Sequence, residues 1–140
     1  MKSRPLTIAL ILVIALLFIS FTLVKAFPPI PSSFWGTVKV NGENIPEGTI
    51  VSAWIDGVQY ATCLSGIWEG NSAYSLDVPG DDPSTDPIEG GVLDDTIVFK
   101  IGDNAATQTG NWVSSSNTVR LDLTFTVEEG YFYYLPLIVN

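Results

Sequence analysis

The chain has no histidine and a single cysteine, Cys63. The first absence removes the usual general base of serine and cysteine hydrolases, and also the commonest zinc ligand. One thiol builds neither a thiolate zinc site nor an intrachain disulfide. The glycines form no P-loop and no dinucleotide fingerprint. Cations are scarce as well, with six Lys and Arg against fifteen Asp and Glu. Three of the six, Lys2, Arg4 and Lys25, precede residue 27. Residues 27–140 therefore keep only Lys39, Lys100 and Arg120 against all fifteen acids, a formal charge of −12. A nucleic acid or an anionic headgroup needs a basic surface, so neither is expected as a partner.

Two catalytic arrangements survive these absences, and neither is expected. A Ser–Lys pair would need Lys39 or Lys100, and both fall at alternating positions that read as solvated. A glycosidase-type pair of carboxylates needs a cleft between them, for which a domain this small has little room. The chain reads as a non-enzyme, with no cofactor beyond the calcium weighed below.

What is present begins with a long apolar run. Residues 5–24 carry no charge, follow Lys2 and Arg4, and precede Lys25-Ala26. A basic start, an apolar stretch and a small residue at a cleavage point are the parts of a signal peptide. Twenty helical residues also span roughly 30 Å, the thickness of a bilayer core. Residues 1–26 are thus either a signal peptide cut after Ala26 or one N-terminal hydrophobic helix kept as a membrane anchor. In both cases the cations hold the N-terminus inside and the rest is expected outside the cytoplasm. Residues 27–33 form a Pro-rich spacer, extended and semi-rigid.

Beyond it the sequence alternates in short segments with turn residues between them, which predicts an all-β domain over 34–127. Val38 and Val40 share one face of a first strand, and Asn41-Gly42 turns the chain. Residues 49–55 are apolar on both faces, and Asp56-Gly57 joins them to 58–64 as a hairpin with a type I′ turn. Further strands are expected at 72–78, 96–101 and 118–127, the last with Leu121, Leu123, Phe125 and Val127 on one face. With no helical periodicity after residue 26, about seven strands predict a two-sheet antiparallel sandwich. Cys63 is expected inside as a small hydrophobe. Residues 128–140 form an aromatic and apolar tail; residues 131–139 are expected either to add a last edge strand or to serve sorting.

The segments Phe34-Trp35-Gly36-Thr37-Val38-Lys39-Val40-Asn41-Gly42, Pro46-Glu47-Gly48-Thr49-Ile50-Val51-Ser52-Ala53 and Asp56-Gly57 resemble the start of carboxypeptidase regulatory-like domains. Gly66-Ile67-Trp68 and Tyr74-Ser75-Leu76 are rough counterparts of later family positions. The resemblance covers about residues 34–101 and implies a prealbumin-like, Ig-like sandwich of exported proteins with a structural or binding role. The long acidic loop at 79–95 departs from the family's short turn.

Two groups of residues are candidates for a site. Asp81, Asp82, Asp86, Glu89, Asp94 and Asp95 fall close together, and calcium takes six to eight oxygen ligands. They match no EF-hand spacing, and such residues also simply make turns. Trp54, Trp68 and Trp112, with Tyr60 and Trp35, are candidates for a sugar-stacking face, since exposed aromatic patches mark binding sites. The expected function is a non-enzymatic exported domain that binds a protein partner or builds surface structure. The alternative is a carbohydrate-binding module with a glycan partner.

Overall fold

The computed structural model describes residues 27–115 and 117–128. The targeting segment with its expected helix, and the tail from residue 129 onward, lie outside the described residues. Within them the chain is all-β, with ten strands and no helix. The strands are β1 (Ser32–Val40), β2 (Glu43–Asn44), β3 (Ile50–Ile55), β4 (Val58–Leu64), β5 (Gly66–Trp68), β6 (Asn71–Val78), β7 (Thr96–Ile101), β8 (Asn104–Asn111), β9 (Thr118–Arg120) and β10 (Leu123–Phe125).

The alternation in the sequence is the alternation of burial. In β1 every second residue from Ser32 to Val40 is buried, and in β7 Ile97, Phe99 and Ile101 are. Successive side chains on a pleated strand point to opposite faces, so a period of two buries one face. The core gathers Phe34, Phe99, Phe125, Ile97 and Leu123, all at 2% exposure or less. Phe34 and Phe99 meet edge to face, with centroids 5.3 Å apart. That arrangement sets the positive ring edge against the negative face. Three tight turns carry positive φ at both central residues: Asn41-Gly42, Asp56-Gly57 and Glu69-Gly70. This is the primed geometry that matches strand twist.

The strands form one curled mixed sheet, in the order β4-β3-β7-β8-β10-β1-β6-β5. Two pairings differ from the expected all-antiparallel pattern: β1 runs parallel to both β9 and β10. Trp35 pairs with Arg120 and Val38 with Leu123, the same offset, so residues 118–125 lie along β1 as one interrupted strand. The interruption falls opposite Gly36. There the Leu121 N–H donates to the Trp35 carbonyl at 2.8 Å, and the Thr37 N–H donates to Asp122 Oδ1 at 2.8 Å. A carboxylate thus replaces a backbone acceptor where the strand bulges. A β-carbon on Gly36 would stand 2.7 Å from the Leu121 carbonyl carbon and 2.9 Å from Asp122 Oδ1. Only glycine leaves room for the crossing.

The strand β4 leaves its partner β3 at Leu64, and after buried Ser65 the chain re-enters the sheet as β5 against β6. Ser65 holds this corner. Its backbone N–H donates to the Thr49 carbonyl at 2.8 Å, and its hydroxyl donates to the Pro46 carbonyl at 2.9 Å. The corner carries the chain from one end of the strand order to the other, which curls the sheet around the core.

Candidate functional site

The acidic loop uses its carboxylates internally. Asp81 Oδ1 accepts from the Glu89 N–H at 3.0 Å, and Asp95 Oδ2 accepts from the Val92 N–H at 2.8 Å. Asp82 Oδ1 accepts from both the N–H and the hydroxyl of Ser84 at 2.9 and 2.7 Å. The Ser84 hydroxyl, then its N–H, hold the Asp82 carboxyl below its ordinary range. Glu89 Oε2 accepts from the Thr85 hydroxyl at 3.1 Å. Asp94 sits at a positive φ of 71° in the turn that returns the loop to Trp112. Among the described residues no three Asp, Glu or Cys side chains gather closely enough to hold one metal ion. The six residues proposed for calcium are therefore dispersed. The reason is local: Asp and Asn-type side chains satisfy nearby N–H groups in turns before they can converge on anything else.

The aromatic residues separate in the same way. Trp112 is no surface residue, since it is 3% exposed and its indole N–H donates to the Val78 carbonyl at 3.0 Å. Its ring lies where Gly80 and Gly91 have no side chain: a β-carbon on Gly80 would stand 2.8 Å from Trp112 Cη2. Tyr60 packs on the core, at the register shift between β3 and β4. Trp54 lies half-buried, with its N–H on Ser52 Oγ at 2.8 Å and the Lys100 ammonium 4.2 Å above its ring.

Trp68 remains, and the structure gives it a partner. The β1–β6–β5 register brings Trp35 and Trp68 together with centroids 5.8 Å apart and planes at 81°. The Arg120 guanidinium stands over the Trp35 ring, 5.4 Å from its centroid, and is paired to Asp122 at 3.3 Å. These two tryptophans, with Leu64, Ile67, Ala73 and Ser75, line an open groove of about 580 Å³. Leu64, Ile67 and Trp68 are 60%, 54% and 46% exposed. Three large apolar residues exposed within five positions of one strand corner form a patch, unlike the scattered apolar residues normal on a surface. Sequence reasoning listed Trp35 and Trp68 but missed Leu64 and Ile67. The available signal was Leu64-Ser65-Gly66-Ile67-Trp68 itself, where apolar side chains continue through a corner that cannot bury them all.

The groove holds little acid–base chemistry. Tyr74 lines it, but its hydroxyl donates to the Leu121 carbonyl at 2.8 Å. Burial, with smaller contributions from Cys63 and Asp122, pushes its ionisation far above the usual range. It stays a phenol at neutral pH. Burial also pushes the Cys63 thiol up, against the opposing effect of a hydrogen bond from the Ser75 backbone. Thiolate is the reactive form, so Cys63 is expected to alkylate with iodoacetamide at pH 7.5 several-fold more slowly than a free cysteine peptide. Equal rates would show the thiol open to solvent.

No family model matches the chain, and no curated protein or solved structure matches it.

Proposed function

We propose that this chain is a non-enzymatic binding domain that works outside the cytoplasm. It is sent there by residues 1–26, and then either released after Ala26 or tethered through residues 5–24. In this reading the curled sheet serves as an Ig-like sandwich of the carboxypeptidase regulatory-like kind, with the strand corner at Ser65 joining its two layers. The groove beside Trp35 and Trp68 is the binding surface. The observation that carries the proposal is the exposed apolar corner of Leu64, Ile67 and Trp68 against that tryptophan pair. Exposed aromatic and aliphatic side chains in a concave site give binding area at low entropic cost. The ligand is an extended apolar segment of a protein.

A carbohydrate is the second reading, and one observation favours it. Trp68 stands nearly perpendicular to Trp35 and is half-exposed in a groove that Ser75 also lines, which pairs an accessible indole with a hydroxyl-bearing residue. One experiment separates the two. The chain is screened on a glycan array and on an array of extended apolar peptides, with Trp68→Ala in parallel. Peptide binding that weakens at least about tenfold in the variant supports the proposal, since a hot-spot aromatic is worth about 2 kcal/mol or more. Glycan binding lost in the same variant supports the second reading. Binding that Trp68→Ala leaves unchanged removes the groove from both.

A further inference from the structure

The residues expected to form a spacer are packed on the domain. The Pro29 ring fills the space that a side chain on Gly80 would need, beside the Trp112 ring. Phe27 and Pro29 line a shallow hollow of about 330 Å³ together with Val92, Leu93 and Trp112. Strand β1 begins only two residues further on, at Ser32.

Around this hollow the apolar side chains face outward. Phe27 is 93% exposed, Ile88 72%, Leu93 68% and Ile30 56%. Leu93 stands in a turn closed twice: the Val92 N–H donates to Asp95 Oδ2 at 2.8 Å, and the Asp95 N–H to the Val92 carbonyl at 3.1 Å. The Asp94 N–H donates to the Trp112 carbonyl at 3.0 Å, which keeps that turn beside the hollow. Ile88 is brought to the rim by its neighbour Glu89, whose N–H donates to Asp81 Oδ1 at 3.0 Å. Exposed apolar residues grouped in this way mark an interaction surface.

The way the chain enters the fold says what covers them. Residues 5–24 carry no charge and have the length of a bilayer core. Phe27 follows Val24 by three residues, which reach at most about 11 Å. A chain tethered through 5–24 therefore holds the rim of the hollow close to the headgroups. The same loop carries Asp81, Asp82, Asp86, Glu89, Asp94 and Asp95, which an anionic leaflet would repel.

We propose that this face docks on the surface of a zwitterionic bilayer, with Phe27, Ile30, Ile88 and Leu93 dipping into the headgroup boundary. The proposal rests on the tethered form of the reading above and goes beyond it by fixing how the domain stands. Val78, whose carbonyl holds Trp112, is at the bilayer end of β6. Asn71, paired with Trp68, is seven residues away, about 23 Å along the strand. Docking thus keeps Trp68 clear of lipid and open to partners.

The full chain reconstituted in phosphatidylcholine vesicles tests this. A nitrobenzoxadiazole label is placed on Leu93→Cys or on Asp103→Cys, each in a Cys63→Ala background. Asp103 lies in the β7–β8 turn, at the opposite end of those strands from Trp112. Doxyl-labelled lipid is expected to quench the label at 93 several-fold more strongly than the label at 103. Adding Ile30→Asp/Ile88→Asp should bring the first down to the second, which excludes insertion by the label itself. Mixing in phosphatidylglycerol should also reduce the quenching. Equal quenching at the two positions overturns the proposal, as does quenching that survives the two aspartates or grows with phosphatidylglycerol. A label at 93 that is shielded from aqueous iodide but not reached by doxyl lipid overturns it in favour of a protein on this face. A chain that leaves the vesicle fraction overturns the tether along with the proposal. The array result for Trp68→Ala is independent of all these outcomes and still decides the groove.

Discussion

Replacing Gly36 by alanine, the smallest possible change, is expected to destabilise the domain by about 3 kcal/mol or more, at the top of the range for overpacking. The new methyl would fall on the Leu121 carbonyl and within 2.9 Å of Asp122 Oδ1. A crowded side chain in a core can rotate away, but here the obstacle is backbone. That backbone is fixed on both sides, by the Leu121 bond to Trp35 and by the register of β10 on β1. Pushing the crossing outward would also take Asp122 from the Thr37 N–H, leaving a donor without its acceptor. A loss of this size lowers Tm by at least about 12 °C in a small domain. Gly66→Ala is the control: it meets nothing within 4 Å and has no positive φ, so its stability should change by less than about 1 kcal/mol. Urea unfolding of both variants checks the pair. Equal stability in the two would show that the close crossing does not exist.

The second large effect is expected at Trp112. Its truncation to alanine should cost about 3–5 kcal/mol, the usual figure for a buried tryptophan. Part of the loss is cavity, because Gly80 and Gly91 have no side chains with which to fill the space. Part is the Val78 carbonyl, which would lose its donor. Trp112→Phe keeps most of the ring and drops only that bond, so about 1–2 kcal/mol is expected. Denaturant midpoints with unchanged slopes would confirm both as losses of stability. The pair also tests what this tryptophan is for. A sugar-stacking Trp112 would lose glycan binding at unchanged stability, which is the opposite result.

How far these features were legible in the sequence depends on what each one needed. Val38, Val40, Ile97, Phe99, Ile101, Leu123 and Phe125 were placed correctly by a period of two, because burial of one face writes itself into adjacent residues. Asn41-Gly42 and Asp56-Gly57 were legible because positive φ restricts composition. The strand β8 was not read. Asn104 to Asn111 shows no large apolar residue; its inward positions are Ala106 and Gly110. Gly110 is small because the Phe34 ring lies against it, with Cε1 2.8 Å from where a β-carbon would be. Such a strand looks like a loop until its partner is known. The parallel pairing of residues 118–125 with β1 was hidden for a related reason: alternation states which face is buried but not which strand lies alongside. The four tryptophans looked alike in sequence. What sorted them was tertiary: glycines that admit Trp112 and a corner that exposes Trp68. In the acidic loop, residue type suggested ligands, but Asp81, Asp82, Glu89 and Asp95 each turn one carboxylate oxygen to a nearby N–H or hydroxyl group.

The position of β1 has a consequence for how the chain reaches its final shape. This first strand is bonded to β2 and β6 on one edge and to β9 and β10 on the other. Its second edge is supplied by residues as far along the chain as Phe125, paired to Val40. During synthesis the opening strand therefore stays half-finished until almost the whole domain has emerged. Contacts this distant make folding slow, because loop closure must be met before the pairing rewards it. The domain is held open by its own connectivity, and closes last at the strand that was made first.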